Sequence, residues 1–364
     1  MRNVVAAVTI LAVAGGCARF GPQGPQHEAK DMAGEHASGQ VTVNWVRKVY
    51  GDEKWSGWPD ITKWRDTYYI CFSNGTAHGT RDHRILLTAS EDLEHWNRPE
   101  VVLGPPGDHL ESFFLETGDR LHIQASWRED AAPAPGEEAL PVRTDVVSTK
   151  DGSRWSEPAQ GYPDRYIFWG QSHHDGKYYV AAHIDPPVCE NYLLTSGDGE
   201  TWESVSLITD DAVTETALCF LESGELMSLS RRSPRDFCLA CFASPPYKEW
   251  RPVKTDTVIE GAALERIGNR IVAIGRCSEF EGQESIERWY DASRRTGIFF
   301  YEDGKLTRQA LLPSGGDTGY AGILPVGERE ALVVWYSEHE MMDEPDFRYK
   351  HCGAIFLASI TVAE

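Results

Sequence analysis

ETALCFLESGELMSLSRR, residues 215–232, shows the hairpin pattern from which the fold can be predicted. Apolar residues alternate on both sides of a Ser-Gly pair at 223–224. Alternation interrupted by a Gly-containing turn predicts two half-buried strands joined as a β-hairpin. Because a hairpin returns the chain to its starting level, we expect Glu215 and Arg231 to finish close together, either as a simple ion pair or as one corner of a functional site.

The same hairpin pattern recurs along the chain, whereas no stretch shows a long amphipathic helical period. Successive hairpin turns lie 44 to 59 residues apart, which suits one four-stranded blade with variable loops. The turns fall at Asp66, Gly118, Gly176, Gly224, Gly268 and Gly327. These six units predict an all-β chain folded as a six-bladed β-propeller, with five or seven blades as the alternatives.

A second repeated pattern lies out of phase with the hairpins. Each copy has a Ser at or near the end of a strand, then a polar turn, then a Trp that can fold back over the turn. The four copies end at Trp96, Trp155, Trp202 and Trp250. One copy alone would be an ordinary turn, but four copies that each follow a predicted hairpin favour a repeated blade.

The two ends of the repeat region predict how the ring closes. VTVNWVRKVY at residues 41–50 precedes the first hairpin as a lone strand, and CGAIFLASITV at residues 352–362 follows the last one. Pairing these two segments in one sheet would remove the open edges that a ring cannot otherwise hide. Residues 41–364 are therefore predicted to form one propeller domain closed by its N-terminal strand.

The first residues have the pattern of an export signal. Met1-Arg2 precedes an apolar run over residues 4–14 that is too short to span a bilayer and is followed by small residues and Cys17. This ending resembles a bacterial lipobox, so residues 1–17 are predicted to be a lipoprotein signal with a lipidated Cys17; plain secretion is the alternative. Residues 18–40 are predicted to be a flexible tether. We then expect the protein in the bacterial cell envelope, anchored to a membrane only by lipid.

Composition narrows the partners. The formal net charge of −21 argues against a nucleic-acid surface. Seven of the eight Cys residues remain once Cys17 is set aside, and the pair Cys238 and Cys241 lies in the apolar stretch FCLACF, which is typical of buried small hydrophobes. The His residues show no close ligand spacing, so neither a metal site nor a cofactor is expected.

The Trp turns and the 215–232 hairpin resemble the sialidase (neuraminidase) family. The turns are similar to its Asp-box, S-x-D-x-G-x-T-W, in a degenerate form. In that family an arginine follows a blade-opening glutamate by sixteen residues, as Arg231 follows Glu215. The segment GGDTGYAGIL places Tyr320 where the family keeps its catalytic tyrosine. The resemblance implies Tyr320 as the nucleophile, Glu215 as the group that assists it, and Arg231 as a ligand of a substrate carboxylate.

The chain departs from the family in its other arginines. The first blade reads SGWPD, with Gly57 where the family has the first arginine of its carboxylate-binding triad. Arg295, or its neighbour Arg294, stands roughly where the third arginine would precede the tyrosine. Arg276 and Arg128, near strand ends, are the predicted substitutes.

The acid aspartate of the family also has only an approximate counterpart. The loop SNGTAHGTRDHR offers Asp82 as the matching residue type, with His78 and His83 beside it. Asp82 is therefore the predicted catalytic acid, although it lies closer to Trp96 than the family pattern requires.

These residues favour an exo-acting glycoside hydrolase that cleaves an acidic, carboxylated sugar from a glycan. Propeller sites lie at the mouth of the central channel, where the first strand of each blade begins and the second ends. Carboxylates, arginines, amides and tyrosines at that level are equipment for a charged sugar. The predicted mouth residues are Asp60, Asn74, Glu111, Arg128, Gln171, His183, Glu215, Arg231, Arg276, Asp317, Tyr320 and Tyr336.

Two other functions fit the same pattern. A polysaccharide lyase acting on uronic acids would use a His or Tyr to remove a proton, and His183 is the best placed for that role. His173 and His174 flank the turn at Gly176 and are expected to face solvent. A non-catalytic surface protein could instead bind glycans by stacking sugar rings on some of the 12 Trp and 14 Tyr residues.

Overall fold

The computed structural model describes the chain from residue 39 onward, with a few gaps, and three short backbone strands before it. The described ranges are 39–129, 142–163, 165–185, 188–211, 213–232, 236–279, 293–342 and 352–363. Nearly all regular structure is strand, arranged as six blades in a ring, which confirms the predicted all-β, six-bladed propeller. Within the described residues, no helix is long and apolar enough to cross a bilayer.

Each of the first three blades is a four-stranded antiparallel sheet built in chain order. We number the strands from β1, Val41–Tyr50. Blade 1 holds β2 Trp55–Trp64, β3 Thr67–Gly75, β4 Arg84–Ser90 and β5 Glu100–Leu103. Blade 2 holds β6 Asp108–Thr117, β7 Arg120–Arg128, β8 Val142–Thr149 and β9 Ala159–Gln160. Blade 3 holds β10 Ile167–His174, β11 Lys177–Ile184, β12 Glu190–Ser196 and β13 Trp202–Thr209.

The strands of the last three blades also follow chain order, and the hairpin at residues 215–232 begins blade 4. Blade 4 holds β14 Val213–Phe220, β15 Leu226–Arg232, β16 Leu239–Ala243 and β17 Arg251–Lys254. Blade 5 holds β18 Glu260–Ile267, β19 Arg270–Ser278, β20 Arg294–Glu302 and β21 Lys305–Leu312. Blade 6 holds β22 Thr318–Pro325, β23 Glu330–Ser337 and β24 Ala354–Val362, followed by β1.

Closure of the ring confirms the predicted pairing of the two ends. β1 runs antiparallel to β24, from Val41 opposite Val362 to Tyr50 opposite Ile355. Asn44 adds side-chain hydrogen bonds of 3.0 Å to the hydroxyls of two residues of β24. The sheet of blade 6 therefore contains both the first and the last long strand, and this pairing closes the ring.

The remaining regular elements are short. A 3-10 helix spans His339–Met341 after β23. Backbone strands at His27–Glu28, Asp31–Met32 and Glu35–Ala37 pair with His95–Trp96, β1 and β21 respectively. The predicted signal segment at residues 1–17 lies outside the described residues, and the tether over residues 18–40 stays a prediction.

Apolar residues of neighbouring blades pack face to face, which holds the ring together. Between blades 5 and 6, for example, Val272 and Ile274 share a cluster with Val333 and Trp335, and all four side chains are fully buried. Burying side chains of this size contributes roughly 1.5–3 kcal/mol each. Since the clusters bridge adjacent blades, the innermost strands are held rigidly around the central channel.

The innermost strand of every blade carries a β-bulge at the same level. Register shifts occur in β2, β6, β10, β14, β18 and β22 within the first half of each strand. The backbone has positive φ at Trp58, Gly170, Glu215, Gly261 and Tyr320, which are the bulges of five blades. A bulge re-aims one side chain and strengthens the local twist. The six bulges together form a ring around the mouth of the channel, which we call the bulge ring.

The predicted Trp turns lie away from this ring, at the outer side of blades 1 to 4. In three of them a Ser or Thr hydroxyl accepts two backbone N–H groups, and the following aspartate caps the turn, as Asp198 does for two N–H groups at 2.7 and 2.9 Å. The fourth turn has no aspartate, but all four share a residue of positive φ at one position: Leu93, Gly152, Gly199 and Tyr247.

Candidate active site

Two members of the bulge ring meet across the channel mouth. Tyr320 donates its hydroxyl hydrogen to Glu215 Oε1 at 2.7 Å, although the residues lie 105 positions apart. The predicted contact between these side chains is confirmed. Both have positive φ, 29° for Glu215 and 51° for Tyr320, which is rare for non-Gly residues. The bulges of β14 and β22 therefore aim a carboxylate and a phenol at one point.

Arg231 completes this contact from the neighbouring strand of the same hairpin. Its Nη1 donates to Glu215 Oε1 at 2.6 Å and to the Tyr320 hydroxyl at 3.2 Å, while Nη2 lies 3.2 Å from Glu260 Oε1. The backbone N–H of Gly261 donates to Glu215 Oε2 at 3.0 Å. Arg231 is thus paired directly with Glu215, and the two ends of the hairpin lie close together, as the sequence predicts.

A second charged group lies behind the first, in blades 5 and 6. Arg276 donates to Asp317 Oδ1 at 2.8 Å, to the Tyr336 hydroxyl at 2.7 Å and to Glu260 Oε2 at 3.3 Å. Its guanidinium carbon lies 4.9 Å from the centre of the Tyr320 ring. The Arg276 side chain has no exposed surface. It therefore supports the tyrosine and the carboxylates rather than presenting a face to a sugar.

Together these side chains form one network, defined by Glu215, Arg231, Glu260, Arg276, Asp317, Tyr320 and Tyr336 and called here the Tyr320 network. Each of the three carboxylates is paired with at least one of the two guanidinium groups. Buried charges are tolerated only when paired and hydrogen-bonded in this way.

The environment keeps Tyr320 protonated, while two guanidinium groups beside it would stabilise its ionised form. Burial and the charge of Glu215 raise the pKa of Tyr320 well above its usual value, while Arg231 and Arg276 act to lower it. Burial opposes the positive charge of Arg231, yet Glu215, Tyr320 and Glu260 raise the pKa of its guanidinium. A phenolate that forms when Glu215 takes the proton would face two cations.

The aromatic wall of the site comes from blade 1, where the sequence lacks the expected arginine. Gly57 has no room for a side chain, because a Cβ there would lie 2.2 Å from the Trp55 ring. Trp55 donates its indole N–H to Asp317 at 3.1 Å, and Trp58 packs edge-on against Tyr320. His78 packs against both indoles, with its ring centre 5.0 Å from each, and its Nδ1 is hydrogen-bonded to Asp317 Oδ2.

Below the bulge ring, the central channel contains a cavity of about 180 Å³ lined by the innermost strands of all six blades. Asp60 lies in this wall and accepts the Phe114 N–H at 2.8 Å; burial raises its pKa to about 6. Burial also raises the pKa of Glu111, which accepts a hydrogen bond from Ser126. Gln171 bonds Gln124 at 2.6 Å. Among the described residues, no group of His, Cys, Asp or Glu has the arrangement of a metal site.

Comparison with solved structures shows what this architecture is similar to. A protein of unknown function from Dyadobacter fermentans superposes with a TM-score of 0.72 and 16% identity over 89% of this chain and 99% of the other. Trypanosoma rangeli sialidase superposes with a TM-score of 0.65 and 11% identity over 91% of this chain and 59% of the sialidase. The same sialidase with 2,3-difluorosialic acid as a covalent intermediate gives a TM-score of 0.61 and 11% identity over 91% and 58%.

The chain shares the propeller fold of a sialidase. The chain spans about three fifths of that sialidase's length, and at these identities the likeness shows the fold alone. No protein-family model and no curated protein sequence matches the chain.

Two predicted arginines lie outside the Tyr320 network. Arg295 lies on the third strand of blade 5, where its guanidinium bonds Glu279 at 2.9 Å and the carbonyl of Arg294. The third strand lies farther from the channel than the second, which is why Arg276 on β19 reaches the tyrosine instead. Arg128 donates to Asp108 and to the Thr80 carbonyl. A role for either arginine in holding a sugar stays a prediction.

The predicted acid Asp82 closes its own loop. Its carboxylate accepts hydrogen bonds from the Thr76 N–H at 3.1 Å and from the Thr76 and Thr80 hydroxyls. Although burial opposes it, these bonds lower the pKa of Asp82 to about 2. Of this loop, His78 is the side chain that reaches the Tyr320 network. His83, which lies beside the predicted acid, is buried against Asp108 at 2.8 Å.

The other predicted mouth residues divide into wall and support. Asn74 is buried and bonds the Ser56 hydroxyl at 3.0 Å. His183 is buried with Nε2 3.3 Å from Asp185. Sequence reasoning missed Glu260, whose only signal is its position at the start of β18, matching Glu215 near the start of β14.

Proposed function

We propose that the protein is a glycoside hydrolase that uses Tyr320 as nucleophile and Glu215 as its base. The single observation that carries the proposal is the 2.7 Å hydrogen bond between these side chains at the channel mouth. Tyrosine is a weak nucleophile near its usual pKa of about 10, so a base within hydrogen-bond reach is what the chemistry requires.

In the first step the Tyr320 oxygen attacks the anomeric carbon as its proton passes to Glu215, and the bond from that carbon to the leaving-group oxygen breaks. Arg231 donates to the Tyr320 oxygen at 3.2 Å and can stabilise its developing negative charge. In the second step a water oxygen replaces Tyr320 on the sugar, and Glu215 returns the proton to the phenolate. The sugar leaves with its original configuration, as two displacements require.

The acidic-sugar part of the proposal depends on Arg231. Its side chain is 17% exposed, whereas that of Arg276 is fully buried, so Arg231 is the guanidinium of the network that a sugar carboxylate could meet. A phenol nucleophile also avoids the repulsion that a carboxylate nucleophile would suffer from an anionic sugar. A substrate carboxylate would share Arg231 with Glu215 and Glu260.

The test is a screen of the purified protein against acidic glycans and their carboxyl-reduced counterparts, with products identified by mass spectrometry. We expect release of a terminal acidic sugar, and a fluorinated analogue of that sugar should label the peptide containing Tyr320. Conversion of Arg231 to Lys should raise KM for the acidic substrate more than for its reduced counterpart. Products with an unsaturated uronate, absorbing in the near ultraviolet, would indicate the lyase alternative. Binding without turnover would indicate the glycan-binding alternative.

We include the cellular location of the protein in the same proposal. Small residues before Cys17 support lipidation at that thiol and an extracytoplasmic, membrane-anchored location. Replacing Cys17 with Ser should release the protein from membranes, as followed by cell fractionation. Retention of this variant on membranes would contradict the anchor.

A further inference from the structure

The pair formed by His78 and Asp317 lies beside the proposed nucleophile and has no role in the displacement described above. We propose that His78 is the proton donor to the leaving group, with Asp317 as the residue that positions its ring. This inference rests on the proposed hydrolase function and names the acid that the function needs. A proton must reach the leaving-group oxygen because an alkoxide is a poor leaving group.

Asp317 is held in one orientation by several donors. Its Oδ1 accepts hydrogen bonds from the Arg276 guanidinium at 2.8 Å and the Tyr336 hydroxyl at 2.9 Å. Its Oδ2 accepts hydrogen bonds from the Trp55 indole at 3.1 Å and from the Nδ1 of His78. Although burial opposes ionisation, His78 and Arg276 hold the pKa of Asp317 well below its usual range. An ionised, fixed carboxylate orients the imidazole by accepting from Nδ1, so that Nε2 is the nitrogen at the opposite edge of the ring.

The position of His78 suits proton transfer at the mouth. Its side chain is 28% exposed, while that of Asp317 is 6% exposed, so the imidazole forms the outer end of the pair. The Trp58 ring contacts both His78 and Tyr320, with ring centres 5.0 and 6.3 Å away. A sugar bound over Tyr320 would therefore have the imidazole near its leaving group.

The same loop contains a carboxyl group that cannot easily take this role. Asp82 accepts from Thr76 and Thr80, and these hydrogen bonds lower its pKa to about 2 against the opposing effect of burial. At neutral pH such a carboxyl carries no proton to donate. The loop thus uses Asp82 for its own shape and extends His78 to the site.

His78 gives up one proton in the first half-reaction and regains one in the second. In the first, protonated His78 gives the Nε2 proton to the glycosidic oxygen while the carbon–oxygen bond breaks and Tyr320 bonds to carbon. In the second, neutral His78 takes a proton from water as the water oxygen bonds to carbon and Tyr320 departs. His78 ends protonated, and no other reactant is consumed.

The groups around the imidazole hold it in place beside the tyrosine. Trp55 and Trp58 pack edge-on against the ring, and Asp317 is hydrogen-bonded to its Nδ1. Arg276, Tyr336 and Glu338 lie behind Asp317, and the last of these accepts the Asp317 N–H at 2.8 Å.

The experiment compares two aryl glycosides of the sugar released in the screen, one with a phenol leaving group and one with 2,4-dinitrophenol. Conversion of His78 to Gln should lower kcat/KM for the phenyl glycoside by about a hundredfold or more, because that leaving group needs a proton. The dinitrophenyl glycoside should lose less than about fivefold in bond cleavage, since its leaving group needs little protonation. Added azide should restore turnover of the variant's glycosyl-enzyme.

The matched control is His95→Gln, because His95 also bonds an aspartate, Asp92 at 2.7 Å, in an outer turn far along the blade. It should behave as wild type with both glycosides. Asp317→Asn tests the positioning role and, like His78→Gln, should lower kcat/KM for the phenyl glycoside more than for the dinitrophenyl glycoside. Equal losses on both glycosides, or full phenyl activity, in a folded His78→Gln protein would overturn the inference.

Failure of the inference and failure of the proposed function are distinguishable. If Tyr320→Phe is inactive on both glycosides while His78→Gln matches wild type, only the inference is overturned. If wild-type protein cleaves no glycan and neither glycoside of any acidic sugar, both are overturned.

Discussion

The two halves of the channel mouth use similar residues in different ways. In blades 4 to 6, carboxylates, arginines and tyrosines from three blades join in one network around Tyr320. In blades 1 to 3, three buried histidines are each paired with a separate aspartate: His83 with Asp108, His109 with Asp145 and His183 with Asp185. Arginines beside two of these aspartates complete the separate groups.

This contrast shows how catalytic residues can be distinguished from structural residues of the same type. A local pair satisfies its own charges, so it needs nothing from a ligand. In the Tyr320 network, two residues held at positive φ converge across the ring and share one proton. Such backbone strain persists only where the surrounding structure enforces it, and it concentrates at functional sites. The following experiments test whether activity belongs to the network alone.

The largest effect is expected from Tyr320→Phe. Removing the hydroxyl removes the nucleophile, so turnover should fall by about a thousandfold or more while the fold is kept. Tyr192→Phe is the matched control, because Tyr192 also donates to a glutamate, Glu190, at 2.7 Å but on β12 in the other half. Turnover and circular dichroism measure the two quantities. A Tyr320→Phe protein as active as the Tyr192 variant would remove the basis of the comparison.

Glu215→Gln should have the next largest effect. The amide oxygen can still accept the Gly261 N–H, but the side chain can no longer take the proton of Tyr320. General-base catalysis contributes at least about a hundredfold, so kcat should fall by that factor with little change in substrate binding. Glu190→Gln is the control in blade 3. A loss confined to KM would indicate that Glu215 binds the substrate instead.

Glu338 allows a test of stability at the edge of the network. Burial and the charge of Asp317 raise its pKa to about 8, well above the usual value for glutamate. As the pH rises toward 8, the unfolded chain releases this proton before the folded chain does, so the contribution of Glu338 to stability is lost. The free energy of unfolding of Glu338→Gln should therefore exceed that of wild type by roughly 2–4 kcal/mol at pH 8, with little difference near pH 4.

Urea denaturation at both pH values measures this difference, with Glu340→Gln as a control on a more exposed neighbouring carboxylate. An equal effect of the Glu338 substitution at both pH values would show that packing, rather than titration, sets its contribution.

The smallest effect on activity is expected in the other half. His183→Gln should change turnover by less than about threefold, because its imidazole serves Asp185 rather than the network, while a lost buried hydrogen bond costs about 1 kcal/mol of stability. Kinetics and thermal unfolding of the same preparation separate the two. A large loss of turnover in this variant would favour the lyase alternative and place the chemistry among the histidines.

Much of the fold could be predicted from sequence because it depends on local patterns. Alternation and Gly turns identified the hairpins, and the lone strand at residues 41–50 identified the closure. The contact between Glu215 and Tyr320 was also predictable, because strand starts of different blades converge on one axis.

The sequence did not reveal in which direction individual side chains point or how deeply they are buried. Alternation cannot show a bulge, so the positive φ of Glu215 and Tyr320 was not expected. Nor can it show that Arg276 is fully buried, or that Asp82 turns back on its loop while His78 reaches Asp317. These outcomes depend on which neighbours satisfy each polar group after the blades have packed.

The closure of the ring has a consequence for chain topology. Val41 lies opposite Val362, so the propeller begins and ends at adjacent points of one sheet. A short linker could therefore join the two ends, and the chain could be opened at an exposed hairpin turn in another blade. The resulting circular permutant would move the seam from blade 6 to another blade while the bulge ring kept its composition. Order along the chain and order around the axis are thus separable in this molecule.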